Sequence, residues 1–117
     1  CYPRDVLLKK MAARCMIMAQ AGQYNLPRSL KRNDSVAVML ATARFAEAAL
    51  SFVFLCNRRY MPFYKWAGKL AATLPVLGPQ LARAWRRPRP IRNMGRRLLR
   101  RWKNFAAWRR RICVLWT

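Results

Sequence analysis

The chain has 117 residues, 25 of them Lys or Arg against 3 Asp or Glu, with no His and a formal charge of +22. That length supports one domain with a modest core, and that charge directs the isolated chain toward polyanions such as nucleic acid, anionic lipid or acidic protein. Cys1, Cys15, Cys56 and Cys113 show no CxxC spacing and no His accompanies them, which argues against a zinc site and against a disulfide framework.

The charge is unevenly placed. Residues 1–78 carry 12 basic and 3 acidic side chains, whereas residues 79–117 carry 13 basic and none acidic. Two compositions are joined, and they divide the chain into a helical domain over 1–78 and an Arg/Trp-rich tail over 79–117. The first residue is Cys1 and not Met, so the chain reads as a fragment. Cys15 and Cys56 fall inside apolar helical patterns, where reduced, buried cysteine acts as a small hydrophobe, and this points to a cytoplasmic setting.

In chain order, Val6, Leu7, Leu8, Met11, Ala12, Cys15, Met16 and Ala19 recur at helical spacing, with Asp5 placed to cap. This first helix is predicted to end near Gly22. A loop is then expected over GQYNLPRSLKR, because Gly22, Asn25 and Pro27 are poor helix-interior residues. Asn33, Asp34 and Ser35 offer N-cap side chains to a second, central helix from Val36 to Cys56, apolar on nearly every face. Its length suits a membrane span, but Arg44 and Glu47 near its middle would each cost about 2.5–3.5 kcal/mol there, so a buried bundle helix is favoured and no stable membrane span is expected.

Pro62 is tolerated in a first helical turn and predicts a third helix through Phe63, Trp66, Leu70 and Thr73, closed by LPVLGP. Arg86 to Pro90 should interrupt any helix. Beyond it Ile91, Met94, Leu98, Trp102, Phe105, Trp108 and Ile112 predict a basic amphipathic helix, the kind that lies on anionic membranes or coats nucleic acid. The expected fold is therefore all-α, a small three-helix bundle followed by a basic amphipathic helical extension.

The segment NRRYMPFYKW, Asn57 to Trp66, carries the most chemistry. Arg58, Arg59 and Lys65 supply charge and donors, while Tyr60, Tyr64 and Trp66 supply flat faces, a combination suited to phosphates and bases. The plainer reading makes Phe63 and Trp66 core and leaves the arginines to favour the negative end of the long helix. In the loop after the first helix, Tyr24, Asn25, Arg28 and Lys31 form a second basic, aromatic group, or equally a turn with a solvated charge run. Short connections in an antiparallel bundle would let the two groups face one cleft.

The order of AARCMIMAQAGQYNLPRSLKRND, ARFAEAALSFVFLCNRRYMPFYKW and LPVLG resembles the helical region of the domain of unknown function 4037 family, a nucleotidyltransferase-like family, over roughly the first two-thirds of the chain. The resemblance implies a C-terminal helical, substrate- or nucleotide-facing part whose partner is an N-terminal nucleotidyltransferase-type region. It assigns Asn57, Arg58, Tyr60, Tyr64 and Lys65, with Tyr24, Asn25, Arg28 and Lys31, to substrate or nucleotide. Magnesium and nucleoside triphosphate would belong to the complete protein, because metal-dependent nucleotidyl transfer needs closely held carboxylates and Asp5, Asp34 and Glu47 do not form such a pair. The isolated chain is therefore expected to be inactive as an enzyme, with no catalytic or metal residues of its own. The opposing reading is a basic membrane- or nucleic-acid-binding protein driven by the tail. A third concerns the tail alone, whose Arg, Pro, Trp and Ala bias is what a shifted frame of a GC-rich gene would yield.

Overall fold

The computed structural model describes residues 2–85, among which every regular element is helical. The protein is all-α. The amphipathic helix expected over Ile91 to Ile112, the interruption from Arg86 to Pro90, Cys1 and Cys113 lie outside the described residues.

Helix α1 spans Arg4–Met18. Pro3, held extended, ends the chain's approach, and its carbonyl accepts the first helical bond from the Leu7 N–H at 2.9 Å. Asp5 does not cap as expected; it lies within the first turn, where its charge complements the positive end of the helix. The buried face is narrower than the apolar pattern, because Leu7, Met11 and Met18 are buried while Val6, Leu8 and Met16 are exposed. Positions 7, 11, 14 and 18 form one line at spacings of three and four, so Arg14 lies on the line that packs inward.

The loop expected after Gly22 is instead helix. A π-helical segment, Ala19–Asn25, joins α1 directly to α2, Leu26–Lys31. Pro27 explains the widening: it has no N–H, and in an α-helix its ring would strike the carbonyl four residues earlier. The wider turns before it remove that clash, with the Leu26 N–H reaching back five residues to the Ala21 carbonyl. Gly22 serves a different need. A methyl there would lie 2.8 Å from Cδ2 of Phe45, so the bare backbone is what lets this ring pack against the segment. Gly22 and Pro27 thus shape a helix that each, read alone, would end.

At the end of α2, Asn33 takes a left-handed φ of 54°. Its N–H bonds to the Leu30 carbonyl at 3.3 Å, and the Asp34 N–H to that of Ser29 at 3.2 Å, which is a Schellman turn. Asp34 then starts α3, Ser35–Cys56, by accepting from the Ala37 N–H at 3.0 Å, as its side chain led one to expect. At 22 residues α3 is about 33 Å long. Among the described residues it is the helix long and apolar enough to cross a membrane, and more than half of its most apolar stretch is buried inside the protein. Phe45, Ala48, Ala49, Phe52, Val53, Phe54 and Leu55 make the main core with Leu7, Met11 and Met18 of α1. A smaller cluster, Leu26 with Val38 and Ala41, fastens α2 to the first half of α3.

A second Schellman turn ends α3, with Arg58 at φ 53° and bonds from the Arg58 N–H to Leu55 and from the Arg59 N–H to Phe54, both 2.9 Å. The preceding residue, Asn57, ties this turn to a distant segment. Its Nδ2 donates to the carbonyls of Val53 at 2.7 Å and Val76 at 2.9 Å, while its Oδ1 accepts from the Val76 N–H at 3.1 Å.

Helix α4, Tyr64–Ala72, does not bury the stripe predicted for it. Phe63, Trp66 and Leu70 are exposed, and Ala67, Ala71 and Leu74 go inward. The reason lies in α5, Gly78–Trp85, whose first residue presses on α4 so closely that a methyl on Gly78 would run into the Ala71 carbonyl oxygen. Only small side chains permit that approach. Leu81 and Trp85 of α5 pack against the main core, so this helix crosses the compositional boundary between residues 78 and 79.

Two glycines therefore respond oppositely to the same change. Gly78→Ala should destabilise by about 1–3 kcal/mol through the backbone clash, whereas Gly68→Ala, with nothing within 4 Å of the added methyl, should stabilise by about 0.8 kcal/mol through helix propensity; thermal melts of both variants read this directly. Removing the tie by Asn57→Ala should cost about 1–2 kcal/mol in chemical denaturation, moderated because water reaches the Val76 groups that it leaves unpaired.

Candidate functional site

The corner between α3 and α4 is a surface of aromatic rings and cations. With the alanine face of α4 turned inward, the large side chains around its first turn remain outside: Tyr60 and Phe63 are each 63% exposed, Tyr64 66% and Trp66 60%. Phe63 and Tyr64 lie against one another with ring centroids 4.5 Å apart. Arg59 and Lys65 are exposed among them, as is Arg58 on its left-handed turn. The plain reading of Phe63 and Trp66 as core residues is thus overturned, because the core position is filled by alanine.

The start of the chain extends this surface. Helix α1 runs antiparallel to α3, which brings Tyr2 onto Tyr60 with centroids 4.4 Å apart, and Lys10 places its Nζ 4.6 Å from the Tyr2 ring centroid. This row of Lys10, Tyr2 and Tyr60 places a cation over a ring, a favourable contact. Neither Tyr2 nor Lys10 was identifiable beforehand, since only the helix pairing brings them near residue 60. Asn57 differs from its neighbours here: its amide is engaged with Val53 and Val76, so its role in the fold is structural.

Tyr24, Asn25, Arg28 and Lys31 lie elsewhere. Asn25 borders Arg44 and Leu26 packs on Val38 and Ala41, so this group sits beside the first half of α3, about 20 Å along the helix axis from the level of Asn57. The two groups share no cleft. Within the first, Arg28 donates from Nη1 to the Tyr24 hydroxyl and places its guanidinium carbon 4.4 Å from that ring's centroid, so these two exposed residues satisfy each other one helical turn apart. Lys31 is exposed at the end of α2.

Between the π-helical segment and α3 lies a polar groove of about 260 Å³, lined by Arg14, Ile17, Gln20, Ala21, Asn25, Arg44, Glu47 and Ala48. Only Asn25 among these belongs to the residues singled out from sequence. Arg44 and Glu47 had a meaning there as charges ill suited to a membrane, and the groove is where they lead.

Among the described residues Cys15 and Cys56 form no disulfide, with Cys15 exposed where burial was expected and Cys56 partly buried. Burial and then the neighbouring Cys15 push the Cys56 thiol up from an ordinary 9.0 to about 12, so it stays protonated and a poor nucleophile near neutral pH. Among the described residues no group of three or more His, Cys, Asp or Glu side chains is arranged to hold a metal ion.

Comparison with known proteins adds one relationship. The family described as "Domain of unknown function (DUF4037)" matches residues 1–67, a stretch that takes in α1 through α3 and the first turn of α4. No curated protein and no solved structure matches the chain. A match over more than half of the chain, including the core helix and the basic aromatic corner, shows that the protein belongs to the DUF4037 family.

Proposed function

We propose that this protein is the helical, nucleotide- or substrate-facing part of a nucleotidyltransferase-like protein, and that a separate N-terminal region supplies the carboxylates, magnesium and catalysis. The observation that carries this reading is the outward placement of Tyr60, Phe63, Tyr64 and Trp66 among Arg59 and Lys65. Four large rings left in water are costly unless something covers them, and rings beside cations suit a base stacked above a phosphate chain. Tyr60, Tyr64, Lys65 and Arg58 form the contact surface, Asn57 holds the turn that presents them, and Tyr2 with Lys10 extends it. The Tyr24, Asn25, Arg28 and Lys31 group, at the far end of α3, meets another part of the substrate or the partner region. The setting proposed for the protein is cytoplasmic, where cysteines stay reduced.

Calorimetric titration of the full chain with magnesium and nucleoside triphosphate at physiological salt tests this. The wild type should bind saturably, and the double variant Tyr64→Ala, Lys65→Ala should lose about tenfold or more in affinity with unchanged helicity, since both side chains are exposed. Equal binding by wild type and variant, falling steeply with added salt, would contradict the reading and favour a non-specific polyanion binder driven by charge.

A further inference from the structure

The groove between the π-helical segment and α3 has a composition that a merely solvated helix face does not explain. Two arginines, Arg14 and Arg44, one glutamate, Glu47, and two carboxamide residues, Gln20 and Asn25, are among those that line its space of about 260 Å³. Arg14 is half-buried on the inward line of α1 and not on its outer face. Arg44 and Glu47, three residues apart on α3, are well spaced for an ion pair on a helix, yet none of these five side chains makes a hydrogen bond or ion pair with another described residue. Their donors and acceptors, of both signs, line the groove without a side-chain partner among the described residues.

The backbone is adapted to the same place. Gln20, Ala21 and Asn25 all belong to the π-helical segment, whose wider turns shift side chains away from their α-helical positions. The segment is fixed from behind by the Phe45 ring against Gly22, one residue from Arg44. The backbone behind the groove is thus held by packing.

From this juxtaposition we infer that the groove is a binding site for a small soluble zwitterion that carries an oxyanion and an ammonium group. Arg14 and Arg44 take the oxyanion, for which paired guanidinium groups are well shaped. Glu47 takes the ammonium, and Gln20 and Asn25 orient the atoms between. The volume is below that of sites for drug-sized molecules, which limits the ligand to a short chain. This site is separate from the aromatic corner and stands or falls independently of nucleotide binding there.

The test uses a matched pair of probes, 3-aminopropylphosphonate and propylphosphonate, which differ by the ammonium group. Added to the full isotope-labelled chain at physiological salt, the aminophosphonate should saturably shift the side-chain resonances of Arg14, Gln20, Asn25 and Arg44. Arg44→Gln should weaken it about tenfold, and Glu47→Gln should remove its advantage over propylphosphonate, each with circular dichroism unchanged because both residues are exposed. Equal shifts from both probes, shifts spread over the basic surface, or displacement only by phosphatidylethanolamine vesicles would overturn the inference. Lys65→Ala should leave the titration as it is, which keeps this result distinct from that at the aromatic corner.

Discussion

The structure depends on covering one helix. Helix α3 is apolar on so many sides that no single neighbour can shield it, and burial of apolar surface is the dominant favourable term in folding. The chain solves this with one long N-terminal helix laid antiparallel along it and a short α4–α5 pair at its C-terminal end. The contact of Phe45 with Gly22 and the tie from Asn57 to Val76 hold these covers in place at the two ends. Without Gly22 the N-terminal helix would stand off the core, and without Asn57 the α4–α5 connection would lose its polar anchor to α3.

The same covering decides which residues are left for chemistry. Because α5 approaches α4 within backbone contact at Gly78, α4 buries alanine and leaves its aromatic residues outside. Because Pro27 requires wide turns before it, Gln20 and Asn25 come to the groove with Arg14, Arg44 and Glu47. Both surfaces are consequences of packing demands met elsewhere. Their separation along α3 gives the protein two polar faces, one rich in rings and net positive, the other of mixed charge.

The all-α class, the central helix with its Asp34 cap and the corner after Cys56 were legible from composition and spacing, because they rest on long apolar periodicity and local capping chemistry. The continuity of the first helix through Lys31 was not. Gly22 and Pro27 are helix breakers by propensity, and only the tertiary contact with Phe45 and the relief given by a π turn reverse that. The burial of Ala67 and Ala71 in place of Phe63 and Trp66 was hidden for a similar reason, since hydrophobic size suggests the larger residues while the closeness of a later helix admits only the smaller. Of the residues proposed for the site, Tyr60, Tyr64, Arg58 and Lys65 could be named from their clustering in one segment, and the structure leaves all four exposed. Tyr2 and Lys10 required knowledge of the helix pairing, and the Arg44 and Glu47 groove required knowing where the π segment lies.

The central claim is that the corner of Tyr60, Phe63, Tyr64 and Trp66 is a nucleotide-facing surface and not an unfinished core. Photo-crosslinking of the full chain with an azido nucleoside triphosphate and magnesium, followed by mapping of the labelled peptide, tests it most directly. Adducts concentrated in residues 57–66 and suppressed by unlabelled nucleotide are the expected result. Labelling confined to the arginine-rich residues beyond 85, or scattered without competition, would contradict it.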